Sequence, residues 1–195
     1  GYQQGAAPKT HKRIVRQQTT KKQSYHIMDN GKELFPLVDE EGNIIGSITR
    51  QEAHSGTKQL HPVVHLHLFN SKGELYLQLR PSWKDVQPGK WDTATGGHID
   101  LGESVEMALR REVKEELGLT NFTPESVEHY IFESNVEREL VFVHRATTDE
   151  LPHPNADELA GGRFWRIEEI EEQLGKDVFT PNFEHEYQRF FQCKK

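Results

Sequence analysis

The run from Gly97 to Leu119 constrains this chain most, because glycine, glutamate, arginine and apolar residues recur in it at fixed intervals: G-x5-E-x7-R-E-U-x-E-E-x-G-U, with U apolar. All nine fixed places are filled, by Gly97, Glu103, Arg111, Glu112, Val113, Glu115, Glu116, Gly118 and Leu119. A helix over Ser104 to Leu117, turning roughly 100° per residue, sets Val105, Ala108, Leu109, Val113 and Leu117 on one arc. That arc is the core face of an amphipathic helix. Glu112 and Glu116 fall inside it and Glu115 borders it. A carboxylate at the edge of a core costs on the order of several kcal/mol unless positive charge compensates it, and three at i, i+3 and i+4 also repel one another. A hard divalent cation relieves both costs. Glu112, Glu115 and Glu116 therefore read as a metal site. A solvated acidic face is the bland alternative, and it has no use for the spaced glycines, Glu103 and Arg111.

On these residues the stretch is identified as a Nudix box, and the chain resembles the Nudix hydrolases. The resemblance implies an α/β fold in which a mixed β-sheet is sandwiched between helices. It implies a Mg2+ or Mn2+ ion at Glu112, Glu115 and Glu116, with the Gly97 carbonyl and His98 in the same loop. Glu103 and Arg111 would pair to fix the helix on its loop, Val113 and Leu119 would pack, and Gly118 would end the helix. The last role also follows from physics, since glycine tolerates the left-handed conformation of a helix C-cap.

Length and charge bound the rest. The chain has 195 residues, enough for one domain with a real core. No apolar run reaches the roughly 18 to 20 residues of a membrane span, and no secretory segment opens the sequence. Cys193 is the only cysteine, so no internal disulfide forms, which suits a reducing, cytoplasmic setting. The net charge of −7 is uneven: residues 1–24 hold six of the 24 basic residues and no acid, leaving −13 on the remainder. A body that acidic repels nucleic acid. Residues 1–24 read as a disordered basic tail, and residues 25–195 as a single domain. No membrane partner is expected, and a homodimer is one option for the oligomeric state.

In chain order, Leu34–Val38 and Ile44–Thr49 read as a hairpin closed by Asp39 to Asn43, with a short helical turn at Arg50 to Ser55. In His61 to Phe69, Val64, Leu66 and Leu68 alternate with His65 and His67, which predicts a strand with one apolar face. A turn at Asn70 to Gly73 leads to a strand over Glu74 to Arg80. Pro81 to Lys90 reads as a loop, and Trp91 to Thr95 leads into the box. Strands are predicted at Val127 to Glu133, Val136 to Ala146 and Phe164 to Arg166, with a turn-rich segment over Thr147 to Gly162. Ile167 to Leu174 and Pro181 to Phe191 have helical spacing.

A second likeness is carried by Ala53 to His61 and Leu68 to Gly73, which are similar to the N-terminal half of type I isopentenyl-diphosphate isomerases, a branch of the same superfamily. That resemblance runs from about Leu34 to Ala146. It implies a metal held by His54, His61, His98, Glu137 and Glu139, and contacts from Arg50, Arg80 and Lys84 to a substrate diphosphate. Glu137 and Glu139 are two apart on a predicted strand, so both face the same side. One place departs. The isomerases use a proton-transferring cysteine just before the box glycine, where this chain has Gly96, and loss of such a group costs orders of magnitude in rate. Their box is also degraded, whereas this one is intact.

The expected activity is Mg2+-dependent hydrolysis of a small-molecule diphosphate, a nucleoside diphosphate derivative or similar. Glu112, Glu115, Glu116 and Glu139 form the catalytic set, with Glu116, Glu137 or Glu139 as base. The alternatives are isopentenyl-diphosphate isomerisation and a non-catalytic binding domain. Trp83, Trp91 and Phe132 are candidates to stack on a base.

Overall fold

A strand of ten residues, Leu60–Phe69 (β3), forms the spine of the molecule and is buried along nearly its whole length in the computed structural model, which describes residues 31–193. The basic tail over residues 1–24 lies outside the described residues. β3 pairs in parallel with β8 (Arg138–Thr147) from Leu60↔Arg138 to Phe69↔Thr147. On its other edge it pairs antiparallel with β6 (Thr95–His98), and near its end with β4 (Leu75–Leu79). β4 continues to β5 (Trp91–Thr93) and β9 (Gly161–Trp165), and β8 to β7 (Glu125–Glu133). The result is a mixed seven-stranded sheet.

The pleat of β3 sends alternate residues to opposite faces. Val64, Leu66 and Leu68 pack with Ala108, Leu109, Val113 and Leu117 of the box helix (α2, Val105–Leu117). On the opposite face, Val63 joins Val141, Val143 and Phe190, while Leu75 and Leu77 meet Ile170, Phe183 and Tyr187. Those last residues come from α3 (Ile167–Gln173), α4 (Pro181–Glu186) and a π-helical turn at Tyr187–Phe191. The sheet is thus covered by helix on both sides.

β3 has the apolar face that its alternation predicts, and its histidine-bearing face is buried as well: His67 is 0 % exposed, because the C-terminal helices cover it and Glu186 supplies a hydrogen-bond acceptor. A central strand of a mixed sheet is buried on both faces. One expectation changes here. The single helix expected over Pro181 to Phe191 is instead α4 followed by the π turn, in which consecutive aromatics both reach the sheet side, Phe190 toward Tyr130 (6.2 Å) and Phe191 over His67 (4.5 Å).

The hairpin of β1 (Leu34–Val38) and β2 (Ile44–Thr49) forms its own two-stranded sheet. Its turn is set by Asp39, whose Oδ1 accepts from the N–H groups of Glu41 (3.0 Å) and Asn43 (2.8 Å). The Leu101 N–H donates to the Leu34 carbonyl (3.0 Å), tying the hairpin to the box loop. A four-residue helix, α1 (Arg50–Ala53), follows directly.

Candidate active site

The box helix begins and ends as its sequence dictates. The Ser104 hydroxyl accepts from the Met107 N–H, satisfying one donor of the first turn. Gly118 closes the helix in the left-handed region at φ 66°. Between these caps the apolar stripe fixes the rotation of α2 against the sheet, and that rotation decides where each glutamate points.

Arg111 knits the loop to the helix. Its Nε donates to Glu103 Oε2 (2.8 Å) and its Nη2 to Glu103 Oε1 (2.8 Å) and to the His98 carbonyl (3.0 Å). Its Nη1 donates to Glu112 Oε1 (2.7 Å). Glu103 also accepts the Asp100 N–H (2.9 Å). The Glu112 carboxylate lies directly over the Cα of Gly97, where any side chain would collide with it.

Glu112 and Glu116 are largely covered, while Glu115 stands at the rim with 53 % of its side chain exposed. Burial raises the pKa of Glu112 to about 7 against the pull of Arg111, with Glu115 and Glu158 adding to the rise. Glu116 is held well above the usual carboxylate range by burial, then by Glu112 and Glu158. Its Oε2 is buried with no hydrogen-bond partner. Buried polar atoms are rarely left so. A cation beside this oxygen would relieve the cost of two buried carboxyls, and the oxygen-only donor set would suit Mg2+ or Mn2+.

A cleft of about 740 Å³ opens over these groups, and Arg50, Arg80 and Lys84 line it together with Glu112, Glu115 and Glu116. Arg50 is anchored by Glu33 (2.9 Å), and Arg80 by the Val86 carbonyl (2.8 Å). Lys84 sits 5.0 Å over the Trp83 ring, which is 65 % exposed beside it. Trp91 and Phe132 are placed elsewhere, Trp91 against Trp165 (5.2 Å) and Phe132 in a core cluster.

A second constellation lies at the far end of β3 and β6. One ligand atom from each of His54, His61, His98 and Glu137 falls within 4.8 Å of the others. His54 Nε2 lies 3.2 Å from both His98 Nε2 and Glu137 Oε2, and Glu139 Oε2 is 4.0 Å from His61 Nε2. The His98 ring stacks on Phe35 (4.5 Å) from the hairpin. The side chain of His98 therefore belongs with this cluster, while its carbonyl meets Arg111 of the box. Burial lowers the pKa of His61 and holds that of His98 well below the usual value, with Arg50 reinforcing the latter, which favours the neutral, ligating form of both rings. Burial raises Glu139 to about 7. The His61 Nε2 is another buried atom without a partner.

The cleft also holds residues that no motif or spacing singles out, among them His65, Gln78, Asp92, Asn155 and Glu158. Asn155 caps the end of α2, its N–H donating to the Glu116 carbonyl (2.9 Å). Nothing in the turn-rich segment around them marks Asn155 or Glu158 as different from its neighbours.

Comparison with known proteins gives the family and the fold. The NUDIX domain family matches residues 59–184, and the chain belongs to that family. It is 31 % identical over 159 residues to isopentenyl-diphosphate Delta-isomerase 1 of Photorhabdus laumondii, covering 77 % of this chain and 90 % of that protein. It is 32 % identical over 163 residues to an uncharacterized Nudix hydrolase of Pseudomonas aeruginosa, covering 80 % and 92 %. Among solved structures, a Deinococcus radiodurans protein superposes with a TM-score of 0.70 at 24 % identity, covering 82 % of this chain and 100 % of that one. A MutT protein of Methanosarcina mazei superposes at 0.59 with 26 % identity, covering 69 % and 94 %. The fold is the α/β Nudix fold.

Proposed function

We propose that this protein hydrolyses a diphosphate linkage in a nucleoside diphosphate derivative or a similar organic diphosphate, using divalent metal held by Glu112, Glu115 and Glu116. The observation that carries the reading is the buried Glu112–Glu116 pair, with one orphaned oxygen, at the floor of a cleft whose walls bear Arg50, Arg80 and Lys84. Such a pair is costly in the folded chain and fills no gap in the core. Bound Mg2+ or Mn2+ supplies Lewis acidity, neutralising phosphate charge and making a bound water more acidic.

The chain's own groups supply the remainder. Arg50 and Arg80 grip phosphate oxygens, with arginine suited to a two-point contact, and Lys84 adds a mobile charge. Arg111 holds Glu112 in place. A carboxylate whose pKa sits near 7, as that of Glu139 does, is partly ionised at neutral pH, where a general base works best. Glu116 and Glu139 are the two groups proposed for that role. His54, His61, His98, Glu137 and Glu139 form a second divalent position, whose mixed imidazole and carboxylate donors suit Mn2+ or Zn2+.

The relatives named as isomerases, together with that histidine cluster, favour a second reading, isomerisation of isopentenyl diphosphate. Against it stands Gly96, which has no side chain to carry a proton. A panel of nucleotide sugars, dinucleotides, nucleoside triphosphates and prenyl diphosphates, assayed for Mg2+-dependent phosphate release, tests the first reading. Formation of dimethylallyl diphosphate without phosphate release would establish the second.

A further inference from the structure

Glu186 of α4 is a fully buried carboxylate outside the chemistry described above, and three side chains converge on it. His65 Nδ1 donates to its Oε2 (2.6 Å), the Tyr130 hydroxyl to the same oxygen (2.7 Å), and His67 Nε2 to Oε1 (2.9 Å). His67 is sealed in the core, but His65 keeps 17 % of its side chain exposed and lines the cleft. With Nδ1 turned toward Glu186, the opposite edge of the ring faces Gly96, where a Cβ would stand 3.2 Å from Cδ2 and 3.5 Å from Nε2. Only glycine at 96 leaves that edge bare. Among the described residues, the hydrogen bonds of the His65 ring run through Nδ1 alone.

We propose that His65 is a substrate-binding residue whose Nε2–H donates to a phosphate oxygen through the gap left by Gly96, with Glu186 as the positioning residue that orients the ring. The inference rests on the diphosphate reading and assigns a further recognition group to it. A neutral ring that donates Nδ1–H to Glu186 presents a bare acceptor at Nε2, which repels phosphate; only the charged ring carries a hydrogen on both nitrogens. Burial by itself favours the neutral form of His65, yet Glu186 outweighs it and carries the ring's pKa to about 9, with Glu139 of β8 and Asp92 of β5 adding to the rise. Burial likewise pushes Glu186 up, and His65 and His67 override it, holding the carboxyl far below its usual range. Tyr130 of β7 faces the same carboxylate, its own pKa raised by burial and by Glu186. His98 of β6 and His144 of β8 also feel the His65 charge, each pushed down first by burial. His65 is therefore cationic at neutral pH, and phosphate affinity is lost as pH rises through about 9.

The test is equilibrium binding of inorganic diphosphate with saturating Mg2+, measured by calorimetry across pH on the full chain. His65→Gln should weaken binding by about tenfold, the scale of one charged hydrogen bond, and should abolish the alkaline fall. Glu186→Gln, which removes the charge that holds His65 protonated, should move that fall to below neutral pH. Gly96→Ala, which keeps the His65–Glu186 pair but crowds the ring edge, should weaken binding severalfold, and it decides the matter should His65→Gln fail to fold. His65→Gln or Gly96→Ala proteins that bind like wild type overturn the inference while leaving the diphosphate reading intact. Wild-type protein that binds no diphosphate overturns both.

Discussion

Glu116 combines two properties that no packing role requires, a buried oxygen without a partner and a pKa well above the usual range. Glu116→Gln should lower metal-dependent turnover by at least about a hundredfold, the scale of a lost acid–base or electrostatic group, with an unchanged circular dichroism spectrum. Turnover within a few-fold of wild type would remove Glu116 from the mechanism. Glu112 gives a pH dependence. Its folded pKa of about 7 lies above its ordinary value of 4.5. A raised carboxyl stabilises the metal-free fold below its unfolded pKa, and that contribution is lost as pH rises through the folded one. Bound cation reverses the effect by taking the charged form. The rise in Tm caused by Mg2+, read by scanning calorimetry against a chelated control, should therefore be larger at pH 8 than at pH 5.5; equal rises would contradict the assignment. The box residues were legible because their intervals are fixed within one helix and its loop. His65 was not, since its partner Glu186 lies 121 residues on and alternation on a strand looks the same whether the polar face meets water or a buried carboxylate.

At the scale of the element, the box helix is a rigid carrier whose caps keep its glutamates aimed. Ser104→Ala should cost about 1 kcal/mol of stability, measured by urea unfolding. Gly118→Ala should cost a similar amount by forcing a side chain into the left-handed region. A loss near zero for both would mean that tertiary packing alone sets the ends of α2. The hairpin, the β3 and β4 strands, the box helix and the long β7 and β8 strands were all legible from alternation and turn residues. Two features were hidden. Trp91 to His98 divides into β5 and β6 because Trp91–Thr93 pairs with β4 and Thr95–His98 with β3, a choice made by distant partners. The break of the C-terminal helix into a π turn likewise depends on where Phe190 and Phe191 find the sheet.

At the scale of the whole molecule, the fold gathers two separate groups of donors, one lining the cleft and one at the ends of β3 and β6. The box supplies carboxylates from a helix, while the second group draws His54 from the end of α1, His61 and His98 from β3 and β6, Glu139 from the start of β8 and Glu137 from the residue before it. The hairpin completes the second group by laying Phe35 on His98. The isomerase-like histidines were legible as a resemblance, but only the fold shows that they converge within 4.8 Å. If both groups hold metal as proposed, His61→Ala should remove one divalent position without disturbing the other, as counted by Mn2+ titration under paramagnetic resonance; loss of both, or of neither, would refute their independence. The most direct measurement for the account as a whole is anomalous diffraction from crystals soaked in Mn2+. An ion is expected within coordination distance of Glu112, Glu115 and Glu116, and it should disappear in Glu116→Gln crystals. Glutamates turned outward into solvent, with no anomalous signal at the box, would contradict it.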